Sequence, residues 1–307
     1  MIPTYHSTRF LGQTLESVLA QDPGPEMMQI EVVDDRSMLD DPAAVVAEVA
    51  PGRVAFYRQA RNVGHTKNFE TCLGRARGKV IHLLHGDDYV LDGFYHKLQQ
   101  AFETQPEIGA AFCRQIFMDD AGNWEGYSSL EQPESGILSN GLERLAVEQR
   151  IMTPSIVVHR DVYERLGGFD SRLICAEDWE MWVRIAAHYP VWYETEPLAA
   201  YRMHSDSNTG RHVRNGDDMR YTRMAIEIFR TYLPHGKAGE ISRKARETYA
   251  LSALDMAYSL FLKGDLTAMG IQLREAIGLS YSPRVIQRIG GLLLRAGRVG
   301  LQEMIRA

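Results

Sequence analysis

Val80-Ile81-His82-Leu83-Leu84-His85-Gly86-Asp87-Asp88 is a short apolar run that ends in two acids. Its length and composition predict a buried strand at the centre of a sheet. Working back toward the N-terminus, Gln29-Ile30-Glu31-Val32-Val33 reads as another strand, ending in Asp34-Asp35, and Val54-Ala55-Phe56-Tyr57 as a third. Helical patterns lie between them. One runs from about Arg9 to Gln21, with Phe10, Leu11, Leu15, Val18 and Leu19 on one side. Others cover about Pro42 to Val49 and Asn68 to Ala76. Such alternation predicts an α/β fold with a mostly parallel sheet covered by helices. Ligands of these sheets bind at the carboxyl ends of the strands, which is where Asp34-Asp35 and Asp87-Asp88 stand.

From about Gly109 to Tyr201 strands and helices mix less regularly, and beyond about Arg214 the strand signal vanishes. The remainder reads as helices broken near His235-Gly236, Gly264 and Ser282-Pro283. The expected organisation is therefore an α/β domain over 1–213 and a helical region over 214–307. The net charge of −6 argues against a dedicated nucleic-acid binder, which would need a basic field. Cys72, Cys113 and Cys175 are scattered and show no metal-ligand spacing, as expected of reduced thiols in the cytoplasm. The N-terminus has no basic segment followed by an apolar stretch, so no signal peptide is expected.

Three acidic pairs carry the chemistry. Alone, an Asp-Asp pair reads as well as a solvated turn or a cap. Two pairs at one sheet edge point instead to Mg2+ or Mn2+, which take hard oxygen ligands and leave the rest of their shell to phosphates and water. The third pair, Glu177-Asp178, opens the helical pattern Glu177-Asp178-Trp179-Glu180-Met181-Trp182-Val183-Arg184-Ile185. It reads either as acids favoured at a helix N-terminus or as a general base held on a rigid element. Trp179 is a candidate for stacking on sugar, with core packing as the alternative. His6, His65, His82, His96 and His188 have no ligand-like partners in the sequence and read as surface or core histidines.

These segments together resemble family 2 glycosyltransferases, mostly inverting enzymes with the GT-A fold. The matches are Ile2-Pro3-Thr4-Tyr5, Ser17-Val18-Leu19-Ala20-Gln21, Glu31-Val32-Val33-Asp34-Asp35-Arg36-Ser37, Asn62-Val63-Gly64 with Asn68, Leu84-His85-Gly86-Asp87-Asp88, Gly167-Gly168-Phe169-Asp170 with Glu177-Asp178-Trp179, and Tyr201-Arg202-Met203-His204. They occur in the family's order over about 1–210. The resemblance implies a nucleotide-sugar site built from Pro3, Tyr5, Asp35, Asn62, Asp87 and Arg202, with uracil the usual base. It further implies Asp88 and His204 at the metal, Asp178 as general base, and Glu177 and Trp179 on the acceptor side. Two departures stand out. His85 replaces the first Asp of the family's Asp-x-Asp motif, and the chain opens almost inside its first strand.

The implied activity is inverting, metal-dependent transfer of a sugar, from UDP by family bias, to a glycan or lipid-linked acceptor of the cell surface. One rival reading is an inactive GT-A module that binds nucleotide-sugar or glycan as a scaffold. A sugar nucleotidyltransferase would need a Gly-rich basic loop after the first strand, and none follows Pro3-Thr4-Tyr5. If the C-terminal segment from Arg284 to Met304 is helical, Arg284, Arg288, Arg295 and Arg298 share one face, beside a face bearing Val285, Ile289, Leu292, Ala296 and Val299. That face reads either as solvated arginines or as peripheral contact with the inner, anionic face of a membrane.

Overall fold

The computed structural model describes residues 1–203 and 208–306, without the side chains of 208–211, 293 and 296–306. The chain divides into two compact units, one of Met1–Leu145 with Gln149–His204 and one of Ala146–Glu148 with Ser205–Ala307.

The first unit opens with the predicted alternation: β1 (Ile2–Thr4), α1 (Thr8–Leu19), β2 (Glu31–Asp34), α2 (Pro42–Val49), β3 (Ala55–Arg58), α3 (His65–Arg75) and β4 (Val80–His82). Helix α3 starts three residues earlier than the periodicity suggests, because Gly64, at φ 86°, turns the chain directly into it. Then come β5 (Tyr89–Val90), α4 (Phe94–Thr104), β6 (Ala110–Met118), β7 (Trp124–Tyr127), β8 (Gly136–Ile137), α5 (Gly141–Val147), β9 (Ile156–His159), α6 (Arg160–Leu166), α7 (Glu177–His188) and β10 (Val191–Arg202).

Strands β1, β2 and β3 pair in parallel, with Thr4 opposite Asp34 and Asp34 opposite Arg58. The second set runs β4-β9-β6-β10-β5, where β9 is antiparallel to both β4 and β6, and β10 is parallel to β6. Backbone bonds join the two sets. Met1 N donates to His82 O at 2.9 Å, Leu84 N to Met1 O at 3.1 Å, and Gly86 N to Pro3 O at 3.0 Å. The apolar run that includes β4 is therefore central, and β1, β2 and β4 all end at one edge. Leu11, Leu15 and Val18 of α1 pack with Val32, Leu84, Phe94 and Leu98 into the core beneath that edge. His82, in the same layer, hydrogen-bonds Pro154 O and Tyr95 Oη, and burial pushes its pKa down to about 3.

The second unit contains α8 (Asn208–Asn215), α9 (Asp217–Phe229), α10 (Ala238–Leu262), α11 (Leu266–Leu279) and α12 (Pro283–Arg306). The breaks fall at the predicted glycine and proline positions. Gly264 turns at φ 76°, and Asp265 caps α11 by accepting from Ala268 N at 3.0 Å. Met219, Ala250, Ala253, Leu254, Ala276, Leu279 and Val285 form its core.

The β1–β4 junction depends on Gly86, since a Cβ there would lie 2.8 Å from both Thr4 Oγ1 and Ser7 Oγ. Gly86→Ala is expected to destabilise the protein by roughly 1–3 kcal/mol through overpacking. Urea unfolding measures this, and an unchanged midpoint would show that the hydroxyls simply move aside.

Candidate active site at the sheet's carboxyl edge

The ends of β2 and β4 place acids, and these have different surroundings. Asp34 closes the turn after β2, accepting from Ser37 N at 3.1 Å, Ser37 Oγ at 2.6 Å and Arg58 Nε at 2.6 Å. It is a structural carboxylate. Asp35, next along the chain, is 3% exposed. Its oxygens accept from the amides of Val63 at 2.7 Å and Gly64 at 2.9 Å, and its carbonyl accepts from Asn62 Nδ2 at 3.1 Å. Burial raises the Asp35 pKa although those amides oppose the shift. The predicted pair Asp35 and Asn62 is thus brought together, and both help to fix the loop before α3. Asn68 anchors the same loop from inside, donating to Val33 O and accepting from Gln59. Pro3 is buried in β1 with its carbonyl bound to Gly86, whereas Tyr5 is 50% exposed beside the His6 ring.

The turn after β4 gathers His85, Asp87 and Asp88, with one potential ligand atom from each lying within 4.8 Å of the others. Asp88 is 1% exposed. Its Oδ1 accepts from Arg202 N at 2.8 Å and its carbonyl from Thr14 Oγ1 at 2.7 Å. Its Oδ2 is buried without a hydrogen-bond partner, 3.6 Å from His85 Nδ1. Burial, then the Asp87 charge, pushes the Asp88 carboxyl well above its ordinary value. His85 Nε2 also lacks a partner, and its ring stacks on Phe69 at 5.3 Å. A buried orphan carboxylate oxygen beside a second acid and an imidazole suits a divalent cation. His85, which departs from the family motif, still contributes a donor atom to the cluster.

Arg202 lies beneath this turn. Its guanidinium donates to Asp87 O at 2.9 Å and Gln13 Oε1 at 2.7 Å, and stacks 4.3 Å over Phe10. In this structure it therefore bears on the site through the acidic turn it holds. His204 lies outside the described residues.

Helix α7 brings the third pair. Ala176, just before it, sits at φ 63° and sets the helix's entry angle. Asp178 Oδ2 accepts from Gln149 Nε2 at 2.7 Å and Thr153 Oγ1 at 3.3 Å, and Oδ1 accepts from Trp179 N at 2.7 Å. Burial, reinforced by the neighbouring Glu177 charge, raises its pKa to about 7. Glu177 Oε1 lies 3.1 Å from His65 Nε2, and its Oε2 is buried without a partner. The expectation that Trp179 faces an acceptor is corrected here. Trp179 is 1% exposed and its indole donates to Leu145 O at 2.6 Å, so it packs in the core with no open face.

The sequence reading also left His65 without a partner, and the structure makes it the link between α3 and α7. Its one sequence signal is its place directly after Asn62-Val63-Gly64. Gln149 and Thr153 carry no sequence signal at all, because long-range packing alone brings them to Asp178.

A parallel sheet covered by helices, with an acidic turn at its carboxyl edge, is the architecture of GT-A glycosyltransferases. The chain belongs to Glycosyl transferase family 2, whose family model matches residues 1–167. It is 28% identical over 221 residues to an uncharacterized protein of Mycobacterium tuberculosis, covering 68% of each chain. It is 27% identical over 157 residues to an uncharacterized glycosyltransferase of Methanocaldococcus jannaschii, covering 51% of this chain and 53% of that one. Among solved structures it is similar to S. aureus TarS in complex with UDP-GlcNAc, with TM-score 0.64, 13% identity and 92% of each chain covered. It is also similar to the mannosyltransferase PcManGT from Pyrobaculum calidifontis in complex with GDP-Man and Mn2+, with TM-score 0.60, 17% identity, and 95% and 78% covered.

Burial opposes charge on His65, but the hydrogen bond and charge of Glu177, with Asp178 and Asp35, raise its pKa overall. The stability this pairing contributes is complete below the ordinary histidine value of about 6.5. It is lost as pH rises through the higher folded value. His65→Gln is therefore expected to cost roughly 1–2 kcal/mol at pH 6 and clearly less at pH 9, as read from urea midpoints. A difference that does not change with pH would argue against an ionised pair.

Proposed function

We propose that this chain is an inverting, metal-dependent glycosyltransferase. It moves a sugar from a nucleoside-diphosphate donor, UDP-linked by family bias, to a hydroxyl of a glycan or lipid-linked acceptor in cell-surface polysaccharide synthesis. The observation that carries this reading is Asp178, fixed by Gln149, Thr153 and its own helix start, with a pKa of about 7. A general base works best with a pKa near the operating pH. The donor complexes of TarS and PcManGT support a nucleotide-sugar, and the Mn2+ of PcManGT supports a divalent ion.

Asp88, with Asp87 and His85, would hold the cation, which when bound neutralises the charge of the diphosphate. Arg202 positions that turn. Tyr5, Asn62 and the Asp35 loop border the nucleoside, and Asp87 the ribose or sugar. Asp178 takes the proton from the acceptor hydroxyl as its oxygen attacks the anomeric carbon. The bond to the diphosphate oxygen breaks on the opposite face, its electron pair leaves with the diphosphate, and the configuration inverts. Glu177, held by His65, stands next to Asp178 on the acceptor side. The scattered cysteines, without metal-ligand spacing, support a cytoplasmic location. No helix among the described residues is long and apolar enough to cross a membrane, and the arginine face of α12 supports contact with an anionic membrane surface.

Asp178→Asn is expected to leave donor and metal affinity nearly unchanged while lowering transfer roughly 10²- to 10⁴-fold. The wild-type kcat/KM should rise with pH through about 7, because only the carboxylate accepts the proton. Full activity in Asp178→Asn would sink the base assignment. Donor binding by the wild type with neither transfer nor slow donor hydrolysis would favour an inactive module.

Asp88→Ala is expected to abolish the manganese dependence of UDP binding in calorimetry, with the fold retained by circular dichroism. An unchanged manganese dependence would remove Asp88 from the metal site.

A further inference from the structure

Within the second unit, α10 and α12 border a groove of about 480 Å³, in the size range of small-ligand sites. Its floor is apolar, from the half-buried Leu251 with the buried Leu254 and Leu292 beneath. Arg284, Arg288 and Arg295 rise along its α12 side, and Asp255 and Tyr258 face them from α10. The groove is locally basic, with three guanidinium groups against one carboxylate, in a chain whose net charge is −6.

The three arginines differ in how they are engaged. Arg288 donates to Asp255 through Nε at 3.0 Å and through a terminal nitrogen as well. Both partners of this pair are well exposed, so it contributes little to stability and is readily exchanged. Arg295 lies 5.8 Å over the Tyr258 ring. Arg284 has no ion-pair partner among the described residues. The Asp255 carboxylate thus occupies the position on Arg288 that a phosphate oxygen would take.

The helix backbone gives an independent indication. Gly290 and Gly291 lie inside α12, where glycine is destabilising. A Cβ at either position would meet nothing within 4 Å, so no close packing requires them. Gly291 lines the groove, and its missing side chain leaves open the space between Arg288 and Arg295.

We propose that this groove binds one anionic phospholipid of a membrane surface, with its phosphate between Arg288 and Arg295 and the adjoining chain on the Leu251–Leu254–Leu292 floor. The apolar floor favours an amphiphile over a free phosphate, and the guanidinium groups favour an anionic head over a zwitterionic one. Leu294, 71% exposed on the same helix, adds apolar surface outside the groove. The inference rests on the proposed membrane contact of α12 and is independent of the transfer chemistry. It replaces a diffuse basic face with a defined site.

The test uses the full chain. Flotation with phosphatidylcholine vesicles, with and without phosphatidylglycerol, reads the membrane contact. Calorimetry with monomeric short-chain phosphatidylglycerol, and separately with inorganic phosphate, reads the groove. The wild type should bind only the anionic vesicles and should prefer the short-chain lipid to phosphate. Arg288→Gln with Arg295→Gln should weaken both lipid readouts roughly tenfold or more. Gly291→Leu should weaken the short-chain lipid by filling the groove without a clash. Asp255→Asn should tighten it about threefold by freeing Arg288, a gain that an unfolded variant cannot give. If the wild type binds anionic vesicles but none of the substitutions at Asp255, Arg288, Arg295 or Gly291 changes lipid binding, the groove is wrong and the diffuse contact stands. If the wild type ignores anionic vesicles at low salt, both are wrong. Inorganic phosphate binding as tightly as the short-chain lipid would overturn the lipid assignment.

Discussion

The buried Asp88 carboxylate is the constraint around which the first unit is arranged. Taking a carboxylate out of water costs several kcal/mol unless partners replace the lost hydration. Two elements, α1 and β10, converge on this turn, and β10 supplies the one bond to the carboxylate. Thr14 of α1 binds the Asp88 carbonyl, the Arg202 amide binds Oδ1, and the Arg202 side chain holds the Asp87 carbonyl. Oδ2 receives nothing. An apolar residue of similar size would satisfy packing better, so stability alone does not account for an acid here. The proposed cation would supply the missing partner, and Arg202 then fixes the direction in which that oxygen points.

The strain in the backbone has a matching distribution. Of the four non-glycine residues at positive φ among the described residues, His6 follows β1, Arg36 follows β2 and Ala176 precedes α7. Each such residue costs on the order of 1–3 kcal/mol and persists only where its surroundings over-determine it. Ser37 provides that here, binding Asp34 with its amide and hydroxyl and accepting from His6 N at 2.9 Å. Asp40 adds bonds to the His6 ring and to Thr8. The loops after β1 and β2 are therefore locked to each other, and a rigid edge loses less entropy when a nucleotide settles on it.

What the sequence made legible was local. Strand-end acids, glycine breaks and the amphipathic α1 are set by neighbours a few residues apart, and these elements fall where periodicity and turn chemistry place them. The antiparallel β9 between β4 and β6 has no local signature, since it depends on pairing across long stretches of chain. Trp179 shows the limit more sharply. Its place beside Asp178 was legible, but which side of the helix start meets the core depends on the entry angle fixed by Ala176. The His65–Glu177 pair was hidden for the same reason, because two distant helix starts must be packed before an imidazole and a carboxylate can meet.

That pair also bears on why two adjacent acids differ. Glu177 and Asp178 both begin α7, and consecutive helical residues project about 100° apart. Glu177 meets the His65 imidazole, while Asp178 meets only neutral donors from Gln149, Thr153 and the Trp179 amide. Burial first, and then the neighbouring Glu177 charge, disfavour charge on Asp178. An isolated buried carboxylate with three hydrogen-bond donors would be held lower by them. Burial, reinforced by the like-charge neighbour, overrides those donors and keeps Asp178 basic enough to accept a proton near neutrality. His65 works against that shift rather than for it: the Asp178 charge helps to raise the His65 pKa, so a protonated His65 favours charge on Asp178 in return.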